Sequence, residues 1–132
     1  MALFIDTSAV LAVLDPEEEH HHAACGAWAA LQERNEALFS SNYVLVETVA
    51  LLQRRVGLLA VRALQAEMAP LFHVHWVDEA LHERALAALL AANRRRLSLV
   101  DWVSFEVMRR LGLDTAFAFD ADFTDQGFRC VP

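Results

Sequence analysis

Carboxylates occur in this sequence where its hydrophobic pattern calls for apolar side chains or plain turns. Asp6 ends the apolar run of FIDTSAV, Glu47 sits among Val44, Val46, Val49, Ala50 and Leu51, Asp101 interrupts SLVDWVSFEVM, and Asp120 and Asp122 follow AFAF in FDADF. Each has a plain structural reading. Asp6 is suited to cap a following helix. Ser98 and Asp101 have the spacing of a capping box. Glu47 belongs on a solvated polar stripe with Tyr43 and Arg54, and Asp120 and Asp122 suit an Asx turn. Yet Asp101 shares a helical face with Ser104, Phe105 and Met108, at spacings of three, four and seven, and that face reads as core. Taken singly, the plain readings are stronger. Taken jointly, acids from four distant segments are candidates for one site.

Crowded carboxylates have a definite chemistry. Two unit charges 4 Å apart repel by ~4 kcal/mol at an effective dielectric of ~20. A domain's whole stability is only ~5–15 kcal/mol. Such acids must hold protons or share a cation. All-oxygen donors select Mg²⁺ or Mn²⁺ over Zn²⁺. Metal ions ~3.5–4 Å apart on carboxylates are a device for phosphodiester cleavage.

The elements that position these acids follow from periodicity. Ala2–Ile5 reads as a short buried strand, and Thr7–Leu14 as a helix stopped by Pro16. Glu17–Glu36 has Ala-rich helical periodicity with acids in its first turn. Leu38–Ser40 is a strand, and Asn42 is placed to cap a helix from Tyr43 to about Arg55, ended by Gly57. A further helix runs to about Met68 and is broken by Pro70. Phe72–Val77 has strand propensity, Asp78 caps a helix to about Arg96, and Ser98 opens another through Gly112. Ala116–Phe119 and Phe128–Val131 complete the strands. Continuous apolar strands alternating with helices imply a parallel sheet covered on both faces. In such sheets ligands bind beyond the C-terminal ends of the strands. Asp6 and Asp120 fall at such ends, Asp101 opens a helix, and Glu47 lies about one turn into a helix that follows a strand.

Composition removes other chemistries. The chain has 132 residues, 56% of them hydrophobic, which suits one domain with a sizeable core. Its net charge is −7, and all 11 basic residues are Arg. Without a lysine there is no Schiff base, no P-loop and no response-regulator phosphoacceptor site. A haloacid-dehalogenase-type phosphatase fails too, since residue 8 is Ser and its helper Lys is missing. Cys25 and Cys130 are far apart, with no zinc-like spacing, and read as reduced, half-buried thiols. Glu17–His22 (EEEHHH) reads as a solvated helix start, because adjacent helical side chains diverge. No signal peptide and no membrane-length apolar run are read, so a cytoplasmic location is expected.

FIDTSAV, the Glu47 helix, SLVDWVSF and AFAFDADF followed by GF together resemble the PIN-domain nucleases, closest to the VapC-type toxins of toxin–antitoxin pairs. The resemblance covers essentially the whole chain, in order. It implies a three-layer α/β/α, Rossmann-like sandwich with a short parallel sheet, residues 1–132 forming one nuclease domain. It implies a Mg²⁺- or Mn²⁺-dependent endoribonuclease, with Asp6 and Asp101 as direct metal ligands and catalytic acids. Glu47 is the second acid and Asp120 the fourth, supported by Asp122, although either of these two fits the fourth place. Thr7 and Ser104 match hydroxyl positions that hydrogen-bond a ligand or water. One departure is Ala118, where many relatives carry Thr or Ser two residues before the fourth acid. Arg94, Arg95 and Arg96 form the only dense basic run and are candidates for RNA binding, equally readable as charges at a helix C-terminus; Arg54, Arg55, Arg109 and Arg110 are further candidates. The resemblance implies an RNA substrate, a small antitoxin and a homodimer, with no membrane. The apolar stretches Val44–Leu52 and Leu58–Leu64 suit either core or an antitoxin groove. Alternatives are a solitary PIN nuclease in RNA processing and a catalytically inactive PIN-like scaffold.

Overall fold

The computed structural model describes all residues, Met1–Pro132. Five short strands alternate with helices: β1 (Ala2–Ile5), β2 (Ala37–Ser41), β3 (Phe72–His75), β4 (Thr115–Phe117) and β5 (Arg129–Val131). Between β1 and β2 lie α1 (Thr7–Leu14) and α2 (His21–Glu33), and between β2 and β3 lie α3 (Asn42–Arg55) and α4 (Leu58–Ala63). The chain then runs through α5 (Glu79–Ala92) and α6 (Leu99–Leu111) to β4, and through the short α7 (Asp122–Asp125) to β5. All neighbouring strands pair in parallel, in the order β3-β2-β1-β4-β5.

Alternation along the strands fills both faces of the sheet. Leu3, Ile5, Leu38 and Phe117 face a 15-residue cluster that includes side chains of α1, α2 and α4. Phe4, Ala116 and Ala118 face a cluster of 14 with α5, α6 and α7. The two clusters are nearly equal, so neither face of the sheet is a solvent face. This is the α/β/α sandwich expected from the sequence.

The order of strands creates the crevice. After β1 the chain moves outward to β2 and β3, then crosses back to place β4 on the other side of β1. That reversal is a topological switch point, where open parallel sheets bind ligands. Ile5 stands in register with Phe117, and the Asp6 N–H donates to the Phe117 carbonyl at 3.1 Å. The ends of β1 and β4 are thus tied together where both chains leave the sheet.

The boundaries differ from expectation in instructive ways. Ser41, not Asn42, caps α3: its hydroxyl accepts from Val44 N at 3.2 Å. Asn42 is the first helical residue, and its Oδ1 instead accepts from Val77 N at 2.7 Å. The helix before β3 changes pitch at Leu64, running as a π-turn over Leu64–Met68 before a 3₁₀ turn at Pro70. Strand β3 stops at His75, two residues short. Helix α5 ends at Ala92 with Asn93 in the left-handed conformation, so Arg94–Arg96 lie beyond it. Strand β4 is Thr115–Phe117, which leaves Phe119 and Asp120 in the following loop. Residues 17–20 form a turn before α2 rather than its first turn. Two of the three histidines there are engaged: His21 Nδ1 lies 2.7 Å from the Ala12 carbonyl, and His20 stacks on Phe119 at 4.7 Å. No helix is long and apolar enough to cross a membrane.

The apolar stretches of α3 and α4 divide by face. Val44, Leu52, Ala60 and Leu64 are buried, whereas Val46, Leu58 and Leu59 are exposed. Leu52 is fully buried at the centre of the first cluster. Leu52→Ala should therefore lower the unfolding free energy by about 2–5 kcal/mol, read as a shifted urea midpoint with unchanged slope.

Candidate active site

The acids that begin helices are held by those helices. Asp6 follows β1 and caps α1: its Oδ2 accepts from Ser8 N at 3.1 Å and from Ser8 Oγ at 2.7 Å. Ser8 Oγ in turn accepts from Phe119 N at 3.0 Å. One serine hydroxyl therefore fixes the Asp6 carboxylate and pins the loop after β4 against it. Ser8 was not singled out from sequence; its signal was the Asp-x-Ser spacing of a helix cap. Asp101 closes the capping box of α6, with its Oδ2 accepting from Ser98 N at 2.9 Å. Both plain readings of these acids hold. Capping occupies Oδ2 in each case and leaves Oδ1 without a protein donor.

Glu47 lies one turn into α3. A hydrogen bond from Thr7 favours its charged form, and the Thr7 hydroxyl accepts from Thr48 at 3.2 Å. Both threonines are buried, so Thr7 holds an acid of the site. Thr48 went unnoticed in the sequence, since it reads there as an ordinary core-facing residue. Ser104 differs from expectation: it is fully buried and donates to the Val100 carbonyl at 3.0 Å, one turn back. That hydroxyl has no path to a ligand. Ala118 is 3% exposed and packs in the second core cluster.

Asp120 and Asp122 play unlike parts. Asp120 is half-buried, and its Oδ1 accepts from Asp122 N at 2.9 Å, the expected Asx arrangement. Asp122 is only 5% exposed and pairs with Arg96, whose Nη2 lies 2.5 Å from Oδ1. The Arg96 side chain stays 73% exposed, so one edge of its guanidinium is held and the rest faces solvent. Arg94 and Arg95 are exposed beside Leu89, Leu90 and Asn93, and make no ion pair.

Electrostatics tie the acids together. Burial pushes Asp6 up from 3.8 to about 7, opposed by its Ser8 hydrogen bonds and reinforced by Asp101 and Glu47. Burial also raises Glu47, with Asp101 adding to the rise. Asp101 is raised by burial and by Asp120, against its Ser98 hydrogen bonds. Asp122 rises to about 6 through burial and Asp120, partly offset by Arg96. Cys130 on β5 is raised by burial and then by Asp6 and Asp120, which places that free thiol beside the same group. Acids from β1, α3, α6 and the loop after β4 thus share one field with a single guanidinium as counterion. No trio of His, Cys, Asp or Glu side chains is already arranged to surround an ion. The donor chemistry nonetheless suits Mg²⁺, which is usually held by one or two carboxylates and keeps several waters.

Comparison with known proteins agrees with this geometry. The sequence profile described as "PIN domain" matches residues 3–129. A relative from Mycobacterium tuberculosis, "23S rRNA-specific endonuclease VapC20", is 37% identical over 127 residues, covering 96% of this chain and 95% of the relative. The crystal structure of M. tuberculosis VapC20, described as a sarcin–ricin loop cleaving toxin, superposes with a TM-score of 0.84 at 36% identity, over 96% and 95% of the two chains. The fold extends to VapBC2 from Rickettsia felis, with a TM-score of 0.71 at 10% identity, over 98% of this chain and 97% of that one.

The raised Asp6 carries a signed pH dependence. In the folded chain it keeps its proton up to about pH 7, whereas unfolded it loses it near 3.8. The native state binds more protons between those values, so stability falls as pH rises through them, by about 4 kcal/mol at most. Urea denaturation in EDTA should show this decline for the wild type. Asp6→Asn, which keeps a capping oxygen, should flatten it, and identical profiles for the two proteins would contradict the assignment.

Proposed function

This chain belongs to the PIN-domain family, and we propose that it is a divalent-metal-dependent endoribonuclease, the toxin of a toxin–antitoxin pair, with residues 1–132 acting as one nuclease domain. The observation that carries this reading is the convergence of four acids at the switch point: burial and mutual repulsion raise Asp6, Glu47 and Asp101, and the Asp120 charge adds to the rise at Asp101. The VapC20 relative, at 37% identity over nearly its whole length, supports RNA as the substrate and 23S rRNA as the first target to try.

Asp6 and Asp101 are the ligands we assign to Mg²⁺ or Mn²⁺, through the Oδ1 atoms their caps leave open. Glu47 and Asp120 complete the negative ring, with Thr7 orienting Glu47. A bound divalent cation supplies the positive charge that lets these acids ionise together and lowers the pKa of an attacking water. Ser8 holds Asp6 and the Phe119 backbone in fixed relation, so the two strand ends present their acids to one phosphodiester. Asp122 we assign differently. Its carboxylate holds Arg96, and Arg96 turns its free edge toward an RNA phosphate. Arg94 and Arg95 extend that charge along the backbone of the RNA.

The partner surface is apolar. Val46, Leu58 and Leu59 are 69%, 59% and 82% exposed, and a shallow 320 Å³ depression on α3 is lined by Leu45, Val46, Val49, Ala50 and Gln53. Such a patch suits an amphipathic antitoxin helix or a second copy of the chain, and we assign it to the antitoxin and the homodimer together. A cytoplasmic location accords with an RNA target.

Two measurements test these assignments. Purified protein should cleave a sarcin–ricin-loop RNA hairpin with Mg²⁺ or Mn²⁺ but not in EDTA, and Asp6→Asn and Asp101→Asn should each reduce cleavage at least 100-fold (about 2.7 kcal/mol of barrier). Persistent wild-type inactivity, with no metal-induced rise in Tm, would point to the inactive scaffold. For RNA affinity in EDTA, Arg96→Ala should weaken binding and lower the salt slope by about 0.7–0.9. Asp122→Asn should do the same while leaving the metal-induced Tm rise intact. Loss of that rise instead would make Asp122 a ligand.

A further inference from the structure

A second cavity adjoins the acids. It has a volume of about 330 Å³ and is lined by Asn42, Tyr43, Val46, Glu47, Leu99 and Val100. Its walls are the first turns of α3 and α6, so each wall runs into a site acid: Tyr43 and Val46 lead to Glu47, and Leu99 and Val100 lead to Asp101. Its size lies at the low end for ligand pockets, which suits one ring system rather than a larger group.

Two of its side chains are fixed from outside. Asn42 Oδ1 is committed to Val77 N–H at 2.7 Å, which sets the amide orientation and leaves both Nδ2 hydrogens without a protein partner. The Tyr43 hydroxyl pairs with His82 Nδ1, and the two rings meet edge to face with centroids 5.9 Å apart. The phenol ring is therefore held at its far end and half-buried along its body. A preset pair of donors and an immobilised aromatic ring beside apolar walls are the parts that receive an unpaired base.

We propose that this cavity binds the nucleobase next to the cleaved phosphodiester, with Tyr43 as stacking surface and Asn42 Nδ2 as donor to a carbonyl oxygen of the base. The preference is then for the carbonyl-bearing bases guanine, uracil and cytosine over adenine, which has none. The inference deepens the endoribonuclease reading and rests on it for the position of the phosphate. Base binding itself requires neither metal nor cleavage.

The test uses wild-type protein in EDTA with GMP, UMP, AMP and ribose 5-phosphate, followed by NMR at the Asn42 side-chain amide and the Tyr43 ring. GMP and UMP should shift both sets of signals, AMP should shift the ring but scarcely the amide, and ribose 5-phosphate should shift neither. Equal shifts from ribose 5-phosphate would mean that only phosphate is bound. Silence toward all four, with the same signals moving when a protein partner is added, would give the cavity to that partner. Either result overturns the proposal. In parallel, cut sites in a mixed RNA pool are sequenced for wild type, Asn42→Ala, Tyr43→Leu and Tyr43→Phe. Tyr43→Leu should reduce the base preference beside the cut about tenfold, and Tyr43→Phe, which keeps the ring, should retain most of it. Cleavage with unchanged preference in every variant would sink the pocket and leave the nuclease standing. Mononucleotide shifts without any metal-dependent cleavage would do the reverse.

Discussion

Carboxylates brought together out of water repel one another and lose hydration at the same time, and the architecture around this site answers both penalties. Asp6 shows the conflict most plainly, since burial and its neighbours lift it from 3.8 to about 7. Serine and threonine hydroxyls meet part of the demand. Ser8 and Thr7 donate to Asp6 and Glu47, while Ser98 supports Asp101 through both its N–H and its hydroxyl. Each of these lowers a carboxylate that burial raises. None supplies a full positive charge, so the acids remain a group with an unmet appetite for a cation.

Helix caps turn out to be part of this arrangement rather than an alternative to it. In a parallel sheet every strand delivers the chain at the same edge, and the helices that follow start there. An acid that caps such a helix is thereby placed at the ligand-binding edge. Asp6 does this at α1, directly after β1, whereas Asp101 reaches the same acids from α6, which follows α5 and leads back to β4; in each, one carboxylate oxygen makes the cap and the other is left open. The helix N-terminus also stabilises the negative charge, by about 0.3–1 kcal/mol per acid.

Charge complementarity here is local. The chain as a whole is acidic at −7, yet the guanidinium of Arg96 is bonded directly into the site. Its pairing with Asp122 gives the two acids of the FDADF turn different partners. Asp120 acts on Asp101 and caps the backbone of Asp122, and the Asp122 carboxylate is bonded to Arg96. The next face along, between the first turns of α3 and α6, is apolar with a fixed amide and a fixed phenol ring. Negative ring, cation and apolar cavity adjoin one another, and Glu47 belongs to both the ring and the cavity wall.

Features that depend on near neighbours are legible in the residues alone. Strand and helix order, the caps at Asp6, Asp78 and Ser98, and the approximate place of each acid follow from periodicity and from residues a few positions apart. The short motifs around those acids also carried the family resemblance. Features that depend on distant neighbours emerge only when the chain is folded. Ser8 reaches Phe119 across 111 residues, Asn42 reaches Val77 across 35, and Arg96 reaches Asp122 across 26. The same distance hid the burial of Ser104, which reads as a polar neighbour of Asp101 but lies in the interior of α6's packing. Local signals fix a helix because its hydrogen bonds close within four residues. Which face of that helix meets the sheet, and which arginine turns toward which acid, is fixed by strand order, and strand order is a property of the whole chain.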